Sequence, residues 1–217
     1  MGLKGYQKDY CEGLIHSLAI VSGGANLVPI PGLGIVADIE TMVGLGIALN
    51  KYFQEEIEEA IKNSITKVER MSIAKQSSNF ETTQTICFGI SATSFLIGTN
   101  IAESVIKDLA IQVIKETASK SVAKELVKFV PIIGQLVAPT MSIAMLEVAG
   151  WSLANKLHDK VYKEAINRLD EYCDEEDVPP YIRDKIAKEI NKEYNGDIKK
   201  SQEMDDDLRD WENFKID

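Results

Sequence analysis

The sequence is poor in the residues that build most catalytic and metal sites. It contains two histidines, three cysteines and two tryptophans among 217 residues. Neither His16 nor His158 belongs to a helical His-x-x-x-His pattern, and the five residues from Cys11 to His16 are a poor spacing for a shared helix face. The sequence has no Gly-x-x-x-x-Gly-Lys-Ser/Thr loop and no Gly-x-Ser-x-Gly elbow. We therefore expect no catalytic, cofactor-binding or metal-binding residues, and a protein that is not an enzyme.

The few cysteines also indicate a compartment. Cys11, Cys87 and Cys173 lie far apart and are odd in number, which predicts free thiols in a reducing environment. The first 13 residues carry Lys4, Lys8, Asp9 and Glu12, so they do not resemble a secretory signal. A cytoplasmic location follows, with peripheral attachment to a membrane as an open alternative.

Basic residues are also fewer than acidic ones. The 24 basic residues face 34 acidic ones, and the net charge is −10. A nucleic-acid partner is not expected, because phosphate binding requires a concentrated basic surface. The acidity is uneven, since the chain from Asp159 onward has a net charge of −8. The acidic run at 170–177 lacks the glycine and the alternating ligands of a calcium loop, so it is interpreted as a solvated charge run.

Helical periodicity dominates what is present. One helix is predicted from Glu55 to about Ser78, a second from about Trp151 to Tyr172, and a third from Pro179-Pro180. The inward residues share spacings of three and four: Ile57, Ile61, Ile65, Val68 and Met71 in the first, Leu157, Val161, Ala165, Leu169 and Tyr172 in the second, and Ile182, Ile186 and Ile190 in the third. The fold class is therefore all-α.

Three long uncharged runs raise the question of a membrane. They hold 25 residues between Glu12 and Asp38, 21 between Glu81 and Glu103, and 18 between Lys128 and Glu147. A membrane-spanning helix needs about 20 predominantly apolar residues. Prolines, glycines or polar residues interrupt each run, and buried core helices explain them at least as well. We favour core helices and keep membrane insertion, of a pore-forming type, as the alternative.

An internal repeat lies within these runs. The segment Val28-Pro29-Ile30-Pro31-Gly32 recurs 102 residues later as Val130-Pro131-Ile132-Ile133-Gly134. Proline ends the preceding helix and glycine permits a sharp reversal, so each copy predicts a helix–corner–helix unit. We expect a structural role for the corner residues Pro29, Pro31, Gly32, Pro131 and Gly134, at corners covering 28–34 and 130–134.

The two corners carry a family resemblance. An apolar helix, a proline-glycine corner, a helix with an early acidic residue and a second corner of the form Pro-Ile-Ile-Gly resemble the helical domain of the immunity-related GTPases. They are also similar to a helical domain attached to certain bacterial GTPases and membrane proteins. The matching stretches are Asn26–Phe53 and Glu125–Lys156, with Leu3-Lys4-Gly5 echoing the segment before that domain. The resemblance extends over residues 3–175.

The resemblance implies a helical module for membrane association, self-assembly or partner contacts. It does not imply nucleotide binding, because the phosphate-binding loop of those GTPases has no counterpart here. Gly23-Gly24-Ala25-Asn26 and Gly32-Leu33-Gly34 lack the required lysine and the Ser/Thr magnesium ligand. No catalytic residue is carried over.

A lysine-rich stretch is the candidate binding surface. Lysines recur through a segment whose other face is expected to carry Ile111, Ile114, Val122, Leu126 and Phe129; they are Lys107, Lys115, Lys120, Lys124 and Lys128. A basic amphipathic helix is typical of a segment drawn to anionic lipid. An ordinary amphipathic helix packed on a core is the other interpretation, and Glu116 and Glu125 dilute the charge.

These observations predict a compact multi-helix bundle. Residues 1–175 form the helical domain, made of two helix–corner–helix units, and 176–217 form an acidic helical extension that is partly solvated. The predicted function is a non-enzymatic interaction module for membrane-surface association, self-assembly or partner binding. A protein partner or a second copy is the expected ligand, an anionic membrane surface is the alternative, and no nucleotide or nucleic acid is expected.

Overall fold

The computed structural model describes residues 2–25, 33–74, 83–90, 101–125 and 137–195. Every regular element within these ranges is an α-helix, which confirms the predicted all-α class. The helices are α1 (Gly5–Ala25), α2 (Leu33–Ala74), α3 (helical over 83–90), α4 (Glu103–Glu125), α5 (Val137–Glu175) and α6 (Pro180–Asn195).

The helix boundaries differ from the sequence-based expectation in one respect. The helix expected from Glu55 is the second half of α2, a single helix of 42 residues that begins at Leu33. Likewise, α5 has 39 residues and begins before Trp151. The corner residues Pro29, Pro31, Gly32, Pro131 and Gly134 lie outside the described residues, so the two helix–corner–helix units remain predictions.

Contacts divide the chain into two compact units, and both receive part of α2 and part of α5. We name each unit after one of the two described helices that it contains whole. The α1 unit comprises Gly5–Tyr52 and Ile101–His158, and the α6 unit comprises Met1–Lys4, Phe53–Asn100 and Asp159–Asp217. The predicted 176–217 extension thus begins with a helix, α6, that packs within the α6 unit. Residues 196–217 lie outside the described part of the chain.

In the α1 unit, two of the described glycines lie where helices approach closely. A Cβ atom added at Gly46 of α2 would lie 2.5 Å from Cγ2 of Ile106 in α4 and 3.4 Å from Cδ2 of Leu153 in α5. One added at Gly150 of α5 would lie 2.8 Å from Cγ2 of Ile15 in α1. The buried apolar residues of this unit include Cys11, Ile15, Ala19, Met42, Leu45, Leu49, Ala110, Val113, Leu153 and Leu157.

In the α6 unit, the predicted stripes form the core. Nearly all of the expected inward residues are buried: Ile57, Ile61, Ile65, Val68, Val161, Ala165, Leu169, Ile182, Ile186 and Ile190. Met71 and Tyr172 are instead half-buried. Cys173 is buried at the end of α5, because the buried stripe of that helix advances by four from Ala165 and Leu169.

The turn from α5 to α6 follows from local sequence. Asp177 has a positive φ of 50°, and the amide N of Val178 donates to the carbonyl O of Cys173 at 2.8 Å. This is the left-handed helix termination usually made by glycine, and aspartate is among the few other residues that tolerate it. Pro180 then occupies the first turn of α6, where a missing N–H leaves no helical bond unmade.

Candidate interaction surface

Four of the five lysines of the lysine-rich stretch belong to α4, but the helix does not place them on one face. Lys107 and Lys115 are exposed. Lys120 and Lys124 belong to the helix, but their side chains lie outside the described ones, and Lys128 lies outside the described residues altogether. At about 100° per residue, Lys115 lies roughly 80° around the helix axis from Lys107, Lys120 roughly 220° and Lys124 roughly 260°. The four backbone positions on α4 therefore do not share one face.

Acidic groups accompany the exposed lysines of α4. Glu103 and Asp108 are exposed on the same helix as Lys107 and Lys115. Glu116 is engaged within the α1 unit, since its Oε2 lies 2.8 Å from Nζ of Lys156 in α5. The described part of α4 therefore presents mixed charge and not a basic patch.

The buried side of α4 also differs from the expectation. Ile111 and Ile114, expected on the face opposite the lysines, are half-buried. Among the described side chains of α4, the buried ones are spaced four and three apart: Ile106, Ala110, Val113 and Thr117. The neighbouring helices select this face, as the contact of Ile106 with Gly46 shows.

The exposed large apolar side chains lie on helices other than α4. Among the described residues, the α1 unit exposes five, which are Tyr6 (52%), Tyr10 (44%), Ile20 (50%), Ile47 (43%) and Val148 (61%). The α6 unit exposes Phe88 and Tyr181. Single exposed apolar residues are ordinary on protein surfaces, so their arrangement matters more than their number.

On α1 the exposed apolar residues are aligned. Tyr6, Tyr10, Gly13, Ser17 and Ile20 are all exposed and follow one another at spacings of four, three, four and three residues. We call these five residues the α1 stripe. The opposite side of the helix is buried through Gln7, Cys11, Ile15 and Ala19. The stripe was not predicted from the sequence, although spacings of four and three residues are the recognisable pattern of one helix face.

Two contacts hold α1 in place beside its neighbours. The rings of Tyr10 and Tyr52 of α2 are stacked, with centroids 4.0 Å apart and planes inclined by 19°. Nδ1 of His16 lies 2.7 Å from Oε1 of Glu147 in α5. One tyrosine of the stripe therefore has a fixed ring orientation while 44% of the residue stays exposed. A surface fixed in this way loses little conformational entropy when another molecule covers it.

The cysteines do not form part of a surface. Cys11, Cys87 and Cys173 are free and buried, as predicted for isolated thiols. Burial raises the pKa of Cys11 to about 12 and is the main reason that the pKa values of Cys87 and Cys173 rise to about 11. The thiolate is the reactive form, so we expect these side chains to react slowly at neutral pH.

The histidines and the acidic run at 170–177 were the other candidates for a metal site. His158 is buried in the α1 unit, whereas His16 is exposed. In the acidic run, Asp170 and Asp174 face Arg183 of α6, with Oδ1 of Asp174 3.5 Å from Nη1 of the arginine. Across the described segments, no group of three or more histidine, cysteine or acidic side chains is placed to hold a metal ion.

Within the ranges that the structure describes, no helix combines the length and the apolarity that crossing a membrane requires.

Comparison with known protein families, with characterised proteins and with solved structures gives no match.

Proposed function

We propose that this protein is a non-enzymatic helical module that binds another protein surface through exposed helix faces of the α1 unit. The alignment of Tyr6, Tyr10 and Ile20 along one side of α1 carries the proposal. Aromatic residues are enriched where proteins bind one another, because they bury a large area at a small cost in conformational entropy. The resemblance to the helical domain of the immunity-related GTPases supports the same type of role.

Exposure beyond α1 supports the choice of this unit. Ile47 of α2 and Val148 of α5 add two more exposed aliphatic side chains. Gly44 precedes Ile47 by three residues on α2, and a Cβ atom added there would meet no atom within 4 Å. The exposed surface of α2 thus places the large apolar side chain of Ile47 near a glycine, Gly44, which has no side chain.

Peripheral binding to an anionic membrane is the second candidate. It is favoured by one observation, the exposure of Lys107 and Lys115 on α4. Each lysine near an anionic surface contributes about 1 kcal/mol, so stable attachment needs several acting together. Glu103 and Asp108 on the same helix oppose the attraction. For this reason a protein ligand is preferred.

The size of the native complex tests the proposal. We would express the tagged full chain in the cells that naturally make it and fractionate a gentle extract by size. We expect it to elute well above its own mass of 24.1 kDa. Val148→Lys, which changes an exposed residue of the α1 unit, should shift it toward the monomer.

Tyr181→Lys is the matched control, since Tyr181 is comparably exposed but belongs to the α6 unit. Its complex should keep the original size. Elution of the unaltered chain at the monomer mass contradicts the proposal. Recovery with the membrane fraction, lost on changing Lys107 and Lys115 to glutamate, would establish the second candidate instead.

A further inference from the structure

We propose that this chain is an internal duplication, in which two related three-helix halves are each other's binding partner. The first half is residues 1–100, with α1, α2 and α3, and the second half is residues 101–217, with α4, α5 and α6. Matching burial along three pairs of helices and reciprocal contacts between the halves carry this inference, which goes beyond the proposed function and does not depend on it.

The long helices α2 and α5 correspond at an offset of 104 residues. They begin at Leu33 and Val137. Nine buried residues of α2 are each followed 104 positions later by a buried residue of α5: Met42, Leu45, Gly46, Leu49, Asn50, Phe53, Ile57, Ile61 and Ile65 match Leu146, Ala149, Gly150, Leu153, Ala154, Leu157, Val161, Ala165 and Leu169. Two amphipathic helices can share a burial period by chance. That period does not require the shared start or the glycine at the same place in both helices, Gly46 and Gly150.

The shorter helices correspond as well. The buried residues of α1 precede those of α4 by 98 or 99 positions: Gln7, Cys11, Ile15 and Ala19 match Ile106, Ala110, Val113 and Thr117. The buried residues of α3 precede three of those of α6 by 103 or 104 positions: Thr83, Cys87 and Ile90 match Ile186, Ile190 and Tyr194. The corner repeat has an offset of 102, between the values for the first and the second helices. An offset that changes this little along the chain indicates two copies with short insertions.

The long helix of each half receives a side chain from the other half at its glycine. A Cβ atom added at Gly46 would lie 2.5 Å from Cγ2 of Ile106, and one added at Gly150 would lie 2.8 Å from Cγ2 of Ile15. In both contacts the isoleucine belongs to the first helix of the other half, as in a symmetric pair of subunits. The symmetry is approximate, since Ile15 matches Val113 in burial and not Ile106. The first helices therefore cross the long helices at different turns.

Both compact units are built from segments of both halves. The α1 unit joins Gly5–Tyr52 to Ile101–His158, and the α6 unit joins Phe53–Asn100 to Asp159–Asp217. Within the α6 unit, the ion pair of Lys67 with Glu189 connects the two halves. Gly89 does the same, because a Cβ atom added there would collide with the hydroxyl of Tyr172. Neither half contains a complete unit, so we expect neither to fold without the other.

The halves differ on the outer face of their first helices. At the offset of 99 residues, the exposed Tyr6 and Tyr10 correspond to Val105 and Leu109, which are half-buried. The exposed residues of α4 within the described range include Lys107 and no aromatic side chain. The exposed tyrosines therefore belong to the first half alone, and the pairing of the halves does not account for them.

Cutting the chain between the halves tests their association. We would insert the recognition sequence of a site-specific protease into residues 91–100, which join α3 to α4 in the sequence, and cut the folded full chain. The two fragments should stay together in buffer at the mass of the uncut protein and separate only in denaturant. Because unfolding of the cut protein also separates the fragments, its Tm should rise with protein concentration, whereas the Tm of the uncut protein should not.

Two outcomes of the cut overturn the inference. Fragments that separate in buffer show that the halves do not hold each other. A cut protein whose Tm is independent of concentration shows that each half folds alone. The chain with the insertion, left uncut, is the control for the effect of the insertion itself.

Double variants of the uncut chain test whether the two glycine contacts are reciprocal. Gly46→Ala and Gly150→Ala should each lower the Tm by about 2–8 °C, because the new methyl group meets an isoleucine. Replacing that isoleucine by leucine removes its Cγ2 atom. Gly46→Ala/Ile106→Leu and Gly150→Ala/Ile15→Leu should therefore each melt higher than the sum of their single changes predicts.

Gly44→Ala/Ile106→Leu is the matched control. A Cβ atom added at Gly44 meets nothing within 4 Å, so its two changes should be additive. Coupling at both Gly46 and Gly150, with none at Gly44, is the expected result. Coupling at one of the two glycines only, or at neither, contradicts the reciprocal pairing of the halves.

Discussion

Nζ of Lys67 lies 2.6 Å from Oε2 of Glu189, and the Glu189 side chain is only 8% exposed. Lys192, three residues further along α6, places its Nζ 2.9 Å from the other carboxylate oxygen. Hydrogen bonds from Lys67 and then from Lys192 lower the pKa of Glu189. One buried carboxylate therefore joins α2 to α6 within the α6 unit.

Replacing Glu189 should reveal this link as a pH-dependent loss of stability. We expect Glu189→Gln to lower the free energy of unfolding by about 1–2 kcal/mol at neutral pH, since Lys67 keeps much of its hydration. A carboxylate with a lowered folded pKa stabilises the fold above its unfolded pKa, and this contribution disappears as the pH falls through the folded value. The difference in the free energy of unfolding between the unaltered protein and Glu189→Gln should therefore disappear as the pH drops below the ordinary glutamate pKa of 4.5.

Urea unfolding as a function of pH measures that gap. Glu193→Gln is the control, because Glu193 lies 3.8 Å from Lys67 and its side chain is 35% exposed. It should change stability by less than about 0.5 kcal/mol. A gap for Glu189→Gln that does not depend on pH would contradict the assigned role.

Two glycines of the α1 unit should respond oppositely to alanine. Gly46→Ala places a methyl group 2.5 Å from Cγ2 of Ile106, so we expect a loss of about 1–2 kcal/mol after the gain in helix propensity. Gly13→Ala meets no neighbour and should gain about 1 kcal/mol. Thermal unfolding of both variants checks the signs, and a stabilised Gly46→Ala protein would show that α2 and α4 are less closely packed.

The three thiols should be inert in the folded protein. Burial raises the pKa of each cysteine to about 11 or about 12, which leaves very little thiolate at neutral pH. We expect labelling by an aromatic disulfide reagent to be slow in buffer and to reach three thiols per chain in denaturant. Rapid labelling of any one in buffer would place that cysteine at the surface.

Binding to anionic vesicles should be weak. Lys107 and Lys115 are accompanied by exposed acidic groups, and the whole chain carries a net charge of −10. We expect equal co-sedimentation with anionic and neutral vesicles at low salt. Preferential binding to anionic vesicles that declines with salt, and that is lost in Lys107→Glu/Lys115→Glu, would favour the membrane over a protein ligand.

The helices of the α6 unit could be predicted because their patterns are simple. Ile182, Ile186 and Ile190 recur every four residues, and all three are buried. A helix leaving the 28–34 corner was expected, but its continuation without a break into the helix from Glu55 was not, because glycines at 44 and 46 weaken a helical pattern when sequence is considered alone. At Gly46 the close contact with α4 and α5 supplies the reason for a small residue inside a helix.

The surface could not be predicted in the same way. Along α4, apolar and charged residues alternate so closely that no rotation of the helix is strongly amphipathic, and the contact with Gly46 decides that Ile106 and not Ile111 is covered. Along α1, apolar residues occur on both sides. Only the packing of Ile15 against Gly150 shows which side is core and which side, with Tyr6 and Tyr10, is left exposed.

Photo-crosslinking at two exposed tyrosines tests the central claim most directly. A photoreactive phenylalanine replaces Tyr6 in the α1 unit or, as the matched control, Tyr181 in the α6 unit, in cells that naturally make the protein. The account predicts a discrete protein adduct from position 6, at twice the mass of the chain if a second copy is the ligand, and none from position 181. Adducts with lipid alone, or equal protein adducts from both positions, would contradict binding through the exposed face of α1.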